Sequence, residues 1–148
     1  MKRVVFLFTV LFLGAALGEA IAQCTRGTRV TDIQAALDNQ FVCAITTNGT
    51  DTWSEEHGPG NLLTEYARGP GHAVDPRKQV GTWTVINNGN PDAVVTYNYN
   101  GGSSFTWRLY QLDGTTYYFC RADGSEAIAR ATITPLPVNP SSPCPTRG

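Results

Sequence analysis

The segment from Gln79 to Thr134 alternates aromatic or β-branched residues with polar ones, in short runs that are cut by Gly, Asn and Asp. A period of two places neighbouring side chains on opposite faces of a strand, so each run predicts a strand with one buried face. Pairs that tolerate the positive φ of tight hairpins occur at five places in the chain: Asn48-Gly49, Asn88-Gly89, Asn100-Gly101, Asp113-Gly114 and Asp123-Gly124. The sequence therefore predicts antiparallel strands that follow one another as neighbours.

Eight candidate strands result from this pattern: Phe41 to Thr46, Thr52 to His57, Leu62 to Arg68, Val80 to Ile86, Ala93 to Tyr99, Phe105 to Gln111, Thr116 to Arg121 and Ala127 to Ile133. A meander of about eight short strands is predicted to close into a small barrel, because closure removes the exposed edges of a flat sheet. A two-layer sandwich is the alternative. The fold class is all-β.

One helix is predicted before the strands. Thr31 and Gln34 have the spacing of a capping box, and Ile33, Ala36 and Leu37 share one helical face. We therefore expect a short amphipathic helix from Thr31 to about Asn39 that caps the sheet.

The N-terminus has the pattern of a secretory signal peptide. Lys2 and Arg3 precede an apolar run from Val4 to Leu17, and the small residues Ala20 and Ala22 follow it. Residues 1–22 are therefore predicted to be removed, which leaves a single β domain at 23–134 and a tail at 135–148 that contains five prolines. We expect a secreted or periplasmic protein without a membrane span.

The charge of the chain is close to balanced. Eleven basic and twelve acidic side chains give a formal net charge of −1, and neither sign is clustered. The electrostatic attraction that drives nucleic-acid binding is therefore missing, and the expected partner is a small molecule or a protein.

The four cysteines all follow the predicted cleavage site, which in an exported chain favours two disulfides. Sequence allows three pairings. The pairing of Cys43 with Cys120 is favoured because both lie in or beside apolar strands, and that of Cys24 with Cys144 because both lie near a terminus. In an alternative interpretation, Cys24 is the lipidated first residue of a lipoprotein.

One candidate reactive site consists of a carboxylate and two imidazole side chains. Glu55 and His57 face the same way in a strand, and His72 follows in a loop. These three residues have the ligand types of a metal-assisted hydrolase, which is one alternative function. Motifs for a serine nucleophile or a nucleotide do not occur, so the sequence predicts neither a catalytic residue nor a cofactor.

Aromatic residues are spread over successive strands, and Trp and Tyr suit both barrel cores and binding surfaces. The segment from Gly69 to Gln79 is a long irregular loop of the kind that often carries binding groups. The candidate residues for ligand or partner binding are Trp53, Glu55, His57, His72, Trp83, Trp107 and Tyr110.

The run Val80-Gly81-Thr82-Trp83 resembles the G-x-W strand of calycin-type barrels such as lipocalins and avidins. This resemblance implies an eight-stranded up-and-down barrel that binds a small apolar ligand. That strand is the first in calycins, whereas three candidate strands precede it here, so a barrel with another strand order fits as well. The small barrels of bacterial protease inhibitors are a further alternative.

A longer pattern is similar to a set of small exported bacterial proteins of unassigned function. It comprises Trp53-x-Glu55-Glu56-His57, Gly69-Pro70-Gly71-His72-x-Val74-Asp75-Pro76, Gln79-Val80-Gly81-Thr82-Trp83 and Tyr118-Phe119-Cys120. That resemblance implies export and a β fold. Together these observations favour an exported, non-enzymatic binding protein for a small apolar ligand or a protein partner.

Overall fold

The structure is a computed structural model that describes residues 24–66 and 78–136. These residues include the helix α1 (Ile33–Leu37), a short helical turn at 24–26, a 3-10 helix at Pro59–Asn61 and nine β-strands. These are β1 (Thr28–Arg29), β2 (Gln40–Thr46), β3 (Thr52–Gly58), β4 (Leu62–Glu65), β5 (Lys78–Ile86), β6 (Val94–Tyr99), β7 (Ser104–Gln111), β8 (Thr116–Arg121) and β9 (Ala127–Pro135).

Strands β2 to β9 form a closed antiparallel barrel of eight strands. Each strand pairs with the next along the chain, and β9 returns to pair with β2 from Gln40↔Pro135 to Thr46↔Ala129. Closure leaves none of these eight strands as a free edge. The prediction of a small antiparallel barrel with a short helix is therefore confirmed.

The predicted strands agree closely with the observed ones. Thr116–Arg121 has the expected bounds, and most other strands differ by one or two residues at an end. The largest difference is β4, which ends at Glu65 and not at Arg68. Strand β5 begins at Lys78, so Lys78 and Gln79 belong to a strand and not to the predicted loop. Backbone pairing to β4 recruits both residues, through Glu65↔Lys78 and Thr64↔Gln79.

Strand β1 lies outside the barrel and pairs with the second half of β7, through Thr28↔Gln111 and Arg29↔Tyr110. The first half of β7 pairs with β6. Because β1 and β6 share one edge of β7, the N-terminal segment continues the sheet beyond the first residues of β6.

Helix α1 covers one end of the barrel. Ile33 and Leu37 are buried and join the core formed by the inward residues of the strands. The N-cap is Asp32, whose carboxylate accepts from the Ala35 amide, so the predicted cap at Thr31 is one residue early. The helix is also shorter than predicted.

The turn between β5 and β6 fixes α1 in place. The Gln34 amide donates to Oδ1 of Asn88 (3.0 Å), and the Gly89 amide donates to the Thr31 carbonyl (2.9 Å). Since strands alternate in direction, the β2–β3, β6–β7 and β8–β9 turns lie at the opposite end of the barrel. We call this the far end.

The hairpin turns match the predicted glycines in part. Gly49, Gly89 and Gly124 have positive φ, as expected. In the turn after Asn100 the positive φ is at Gly102 instead of Gly101, and Gly114 is not among the positive-φ residues of the described chain.

The favoured disulfide pairing is wrong for the bridge that the structure describes. Cys24 is bonded to Cys120, which fixes the N-terminal segment against β8 across a separation of 96 residues. Both cysteines lie in a second, outer core with Tyr118 and Ala127. Cys43 is also disulfide-bonded and not paired with Cys120, while Cys144, predicted to pair with Cys24, lies outside the described residues.

Other predictions also fall on residues that are not described. They concern the signal peptide at 1–22, most of the Gly69 to Gln79 loop, and the tail, of which only Pro135 and Leu136 are seen. Pro135 is the last residue of β9. Among residues 24–66 and 78–136, no helix has the length and apolar character needed to cross a membrane.

Gly81 allows β5 and β6 to approach closely. A Cβ at this position would collide with the carbonyl oxygen of Asn98 on β6. We predict that Gly81→Ala lowers the free energy of unfolding by about 1–3 kcal/mol, the usual effect of overpacking, as measured by urea denaturation. Gly101→Ala is the matched control, because a Cβ there meets nothing within 4 Å. Equal stability of the two variants would contradict this packing argument.

Candidate functional site

His57 lies in the centre of the barrel and has no exposed surface. Its Nε2 is 2.9 Å from the Tyr97 hydroxyl, and its ring packs edge-on against Trp83 at 5.3 Å between centroids. Burial lowers the pKa of His57 to about 3. The imidazole is therefore neutral at physiological pH and acts as a core residue.

Two nitrogen atoms in this central layer lack hydrogen-bond partners in the described part of the chain. They are Nδ1 of His57 and Nε1 of Trp83, both buried. Buried polar atoms are normally paired with protein or with water. The barrel interior therefore contains two ring nitrogens whose hydrogen-bonding potential the described side chains leave unsatisfied.

Glu55 lies two residues from His57 on the same face of β3, towards the far end of the barrel. Its side chain is 3% exposed. The Tyr99 hydroxyl donates to Oε1 at 2.6 Å, and it is the one side-chain donor to this carboxyl within residues 24–66 and 78–136. No cation of the described residues forms an ion pair with Glu55.

A second carboxyl faces the first. Glu65 on β4 is the direct cross-strand partner of Glu55, and directly opposed residues of antiparallel strands point to the same face. Lys78 lies opposite Glu65 on β5, but within the described chain neither residue is in an ion pair. Two like charges therefore lie side by side at the far end.

Burial and this neighbour change the acidity of the group. Burial raises the pKa of Glu55 to about 7, the Tyr99 hydrogen bond opposes the rise, and the charge of Glu65 adds to it. Burial and the charge of Glu55 raise the pKa of Tyr99, which stays a hydrogen-bond donor. Glu55 therefore changes protonation near neutral pH.

Aromatic rings continue outward from this carboxyl. Tyr99 packs edge-on against Phe105 at 6.0 Å, and Phe105 stacks on Trp107 with an angle of 4° between the rings. Phe105 is 46% exposed, and Trp107 is partly buried against the core. Trp53 occupies the same face of β3 as Glu55 and is also partly buried. We call the following six residues the aromatic–acidic cluster: Trp53, Glu55, Glu65, Tyr99, Phe105 and Trp107.

The structure places five of the predicted site residues in the barrel interior: Trp53, Glu55, His57, Trp83 and Trp107. Tyr110 is separate from them. It lies on the outer face of β7, packs in the outer core near Cys120, and carries the Arg29 guanidinium 5.8 Å above its ring. Tyr110 therefore cannot share a ligand with the interior residues.

Tyr97, Tyr99, Phe105 and Glu65 were not among the predicted site residues. The period of two already aligns Tyr97 with Tyr99 and Phe105 with Trp107. The sequence does not reveal that β6 faces β3 across the barrel interior, because that contact depends on closure. His72, the third predicted member of the reactive group, lies outside the described residues.

In the described part of the chain, no group of three or more His, Cys, Asp or Glu residues could hold a metal ion. No family model, curated protein or solved structure matches this chain. The chemistry of the aromatic–acidic cluster is therefore the feature that indicates a function.

Glu55 and His57, both buried, predict opposite pH dependences of stability. The folded state holds the proton of Glu55 more tightly than the unfolded state, so this group's contribution falls as the pH rises from 4.5 to about 7. The folded state disfavours protonation of His57, so its contribution falls as the pH drops from 6.5 to about 3. Between pH 4.5 and 6.5 the two effects oppose each other.

We predict that Glu55→Gln removes the first effect and leaves the second. Relative to the wild type, the free energy of unfolding of the variant should rise from pH 4.5 to pH 8 by on the order of 3 kcal/mol, which is the shift of the pKa from 4.5 to about 7 converted at about 1.4 kcal/mol per unit. Urea denaturation followed by tryptophan fluorescence at a series of pH values measures this. A difference between the two proteins that does not change with pH would contradict the burial of an ionisable Glu55.

Proposed function

We propose that this protein is an exported binding protein that holds a small, largely apolar molecule at the far end of its barrel. The observation that carries the proposal is Glu55, a buried carboxyl with one hydrogen-bond donor and no cation among the described residues. The molecule would contact the aromatic–acidic cluster.

The burial of Glu55 is unfavourable for the stability of the folded state. A buried carboxylate without a cation costs several kcal/mol, and an apolar side chain of similar size avoids that cost. A strongly shifted acidic group inside a scaffold is a characteristic of functional sites. Glu55 is therefore better explained by a binding role than by stability.

Exposed aromatic surface supports the same location. Phe105 and Trp107 form a flat stacked pair, and a substantial part of Phe105 is accessible to solvent. Ligand sites combine such apolar surfaces with a few placed polar groups. Here Glu55 and Glu65 supply the polar groups.

The architecture is compatible with this function. Closed barrels of eight strands have interiors that either are filled by side chains or hold one small ligand. Residues near α1 fill one end of this barrel with apolar core. A disulfide and the predicted signal peptide support export.

The first test uses the protein purified from its own source. We expect native mass spectrometry to detect one non-covalently bound small molecule per chain, and N-terminal sequencing to begin at Gln23. The emptied protein should then bind the neutral fluorescent probe N-phenyl-1-naphthylamine at one saturable site.

Two matched variants locate the site. Phe105→Ala should weaken binding of the probe about tenfold, because an aromatic pair contributes about 0.5–1.5 kcal/mol beyond the area it buries. Ile86→Ala is the control, since Ile86 is similarly exposed but lies at the α1 end of β5. Equal effects of the two substitutions, or the absence of both a native ligand and saturable probe binding, would overturn the proposal.

A further inference from the structure

We propose that the ligand of this site is an organic ammonium cation with an aromatic or other apolar body. This inference rests on the proposed function and specifies its ligand class. It follows from the combination of two opposed carboxyls and a set of aromatic rings at one place in the barrel.

The two carboxyls of the site favour a positively charged ligand. Glu55 and Glu65 are directly opposite on neighbouring strands, where like charges repel each other. Neither has an ion-pair partner in the part of the chain that the structure describes, although Lys78 is adjacent to Glu65 in the sheet. A cation bound between them would remove this repulsion and compensate the buried charge.

The aromatic rings of the site favour the same kind of ligand. Tyr99 donates its hydroxyl to Glu55, and Phe105 packs against the Tyr99 ring. Rings of Trp, Tyr and Phe attract cations through their negative faces, and the attraction increases where water is excluded. The combination of such rings with a carboxyl favours an ammonium group over a hydrated metal ion.

Other ligand classes fit less well. A neutral apolar molecule would leave both carboxyls unpaired and would bury Glu55 further from water. An anion would be repelled by both. Only a cation gains from every member of the cluster.

Binding of a cation is coupled to the protonation of Glu55. Among residues 24–66 and 78–136, the titratable groups that surround it are Glu65 on β4, Tyr97 and Tyr99 on β6, and His57 on its own strand. The tyrosines are neutral at physiological pH because burial raises the pKa of each, and burial keeps His57 neutral by lowering its pKa. A cationic ligand should therefore displace the proton of Glu55 below neutral pH.

The experiment compares probes of similar shape and different charge, in the presence of a chelator that removes metal ions. At pH 8, calorimetry should show 2-phenylethylamine binding at least tenfold tighter than 2-phenylethanol, and 3-phenylpropanoate should show no binding. Benzyltrimethylammonium, whose charge is independent of pH, should bind at least tenfold more weakly at pH 5.5 than at pH 8.

Three variants separate the contributions. Glu55→Gln should weaken 2-phenylethylamine binding at least tenfold and leave 2-phenylethanol binding within twofold of the wild type. Glu65→Gln should weaken the amine about threefold. Glu126→Gln removes a carboxyl that is paired with Arg121 and should change neither.

The outcomes distinguish this inference from the proposed function. If the wild type and Glu55→Gln each bind the alcohol as tightly as the amine, the inference that the ligand is a cation is overturned. The proposed function would then remain, with a neutral molecule as the ligand. Failure of 2-phenylethylamine, 2-phenylethanol and benzyltrimethylammonium to bind, together with failure of the probe test above, would overturn both. If Glu55→Gln does not fold, two other results test the inference. They are the binding of 2-phenylethylamine by Glu65→Gln, a substitution at an exposed position, and the pH dependence of benzyltrimethylammonium binding.

Discussion

The pairing of β9 with β2 is the contact on which the rest of the structure depends. These strands are the last and the first of the barrel, and seven residue pairs join them. Without this contact the meander would be an open sheet with two free edges, and its inner face would be exposed to water. With it, alternate residues of eight strands share one enclosed interior. Helix α1 then needs to cover only one end.

Enclosure also determines the character of the candidate site. On an open sheet Glu55 could turn towards water, whereas inside a closed barrel it is held beside Tyr99 and opposite Glu65. The low polarity of such an interior strengthens every electrostatic effect, both the repulsion between the carboxyls and the attraction of a cation. The same constraint keeps His57 uncharged two residues away. The shifted pKa values of Glu55 and His57 therefore result from the closure of the whole barrel and not from the local sequence.

Much of the fold could be predicted because its signals are local. The period of two and the Asn-Gly and Asp-Gly turns determine strands such as Thr116–Arg121 and place Glu55 and His57 on one face. The remaining features depend on contacts between distant residues. Cys24 pairs with Cys120 because the N-terminal segment lies against β8, and Glu55 meets Tyr99 because β3 and β6 face each other across the barrel. Neither arrangement follows from spacing along the chain.

Strand β1 and its bridge have a consequence for the order of assembly. Residues Thr28 and Arg29 are synthesised early, yet their partners on β7 and the thiol of Cys120 appear roughly eighty to a hundred residues later. Contacts of such long range form slowly, because a large loop must close before they contribute. The segment that contains Cys24, Thr28 and Arg29 therefore remains unpaired until β7 and β8 have been synthesised. A nascent chain that stops before β7 has neither the strand nor the sulfur with which these residues pair, so Cys24, Thr28 and Arg29 remain without their partners.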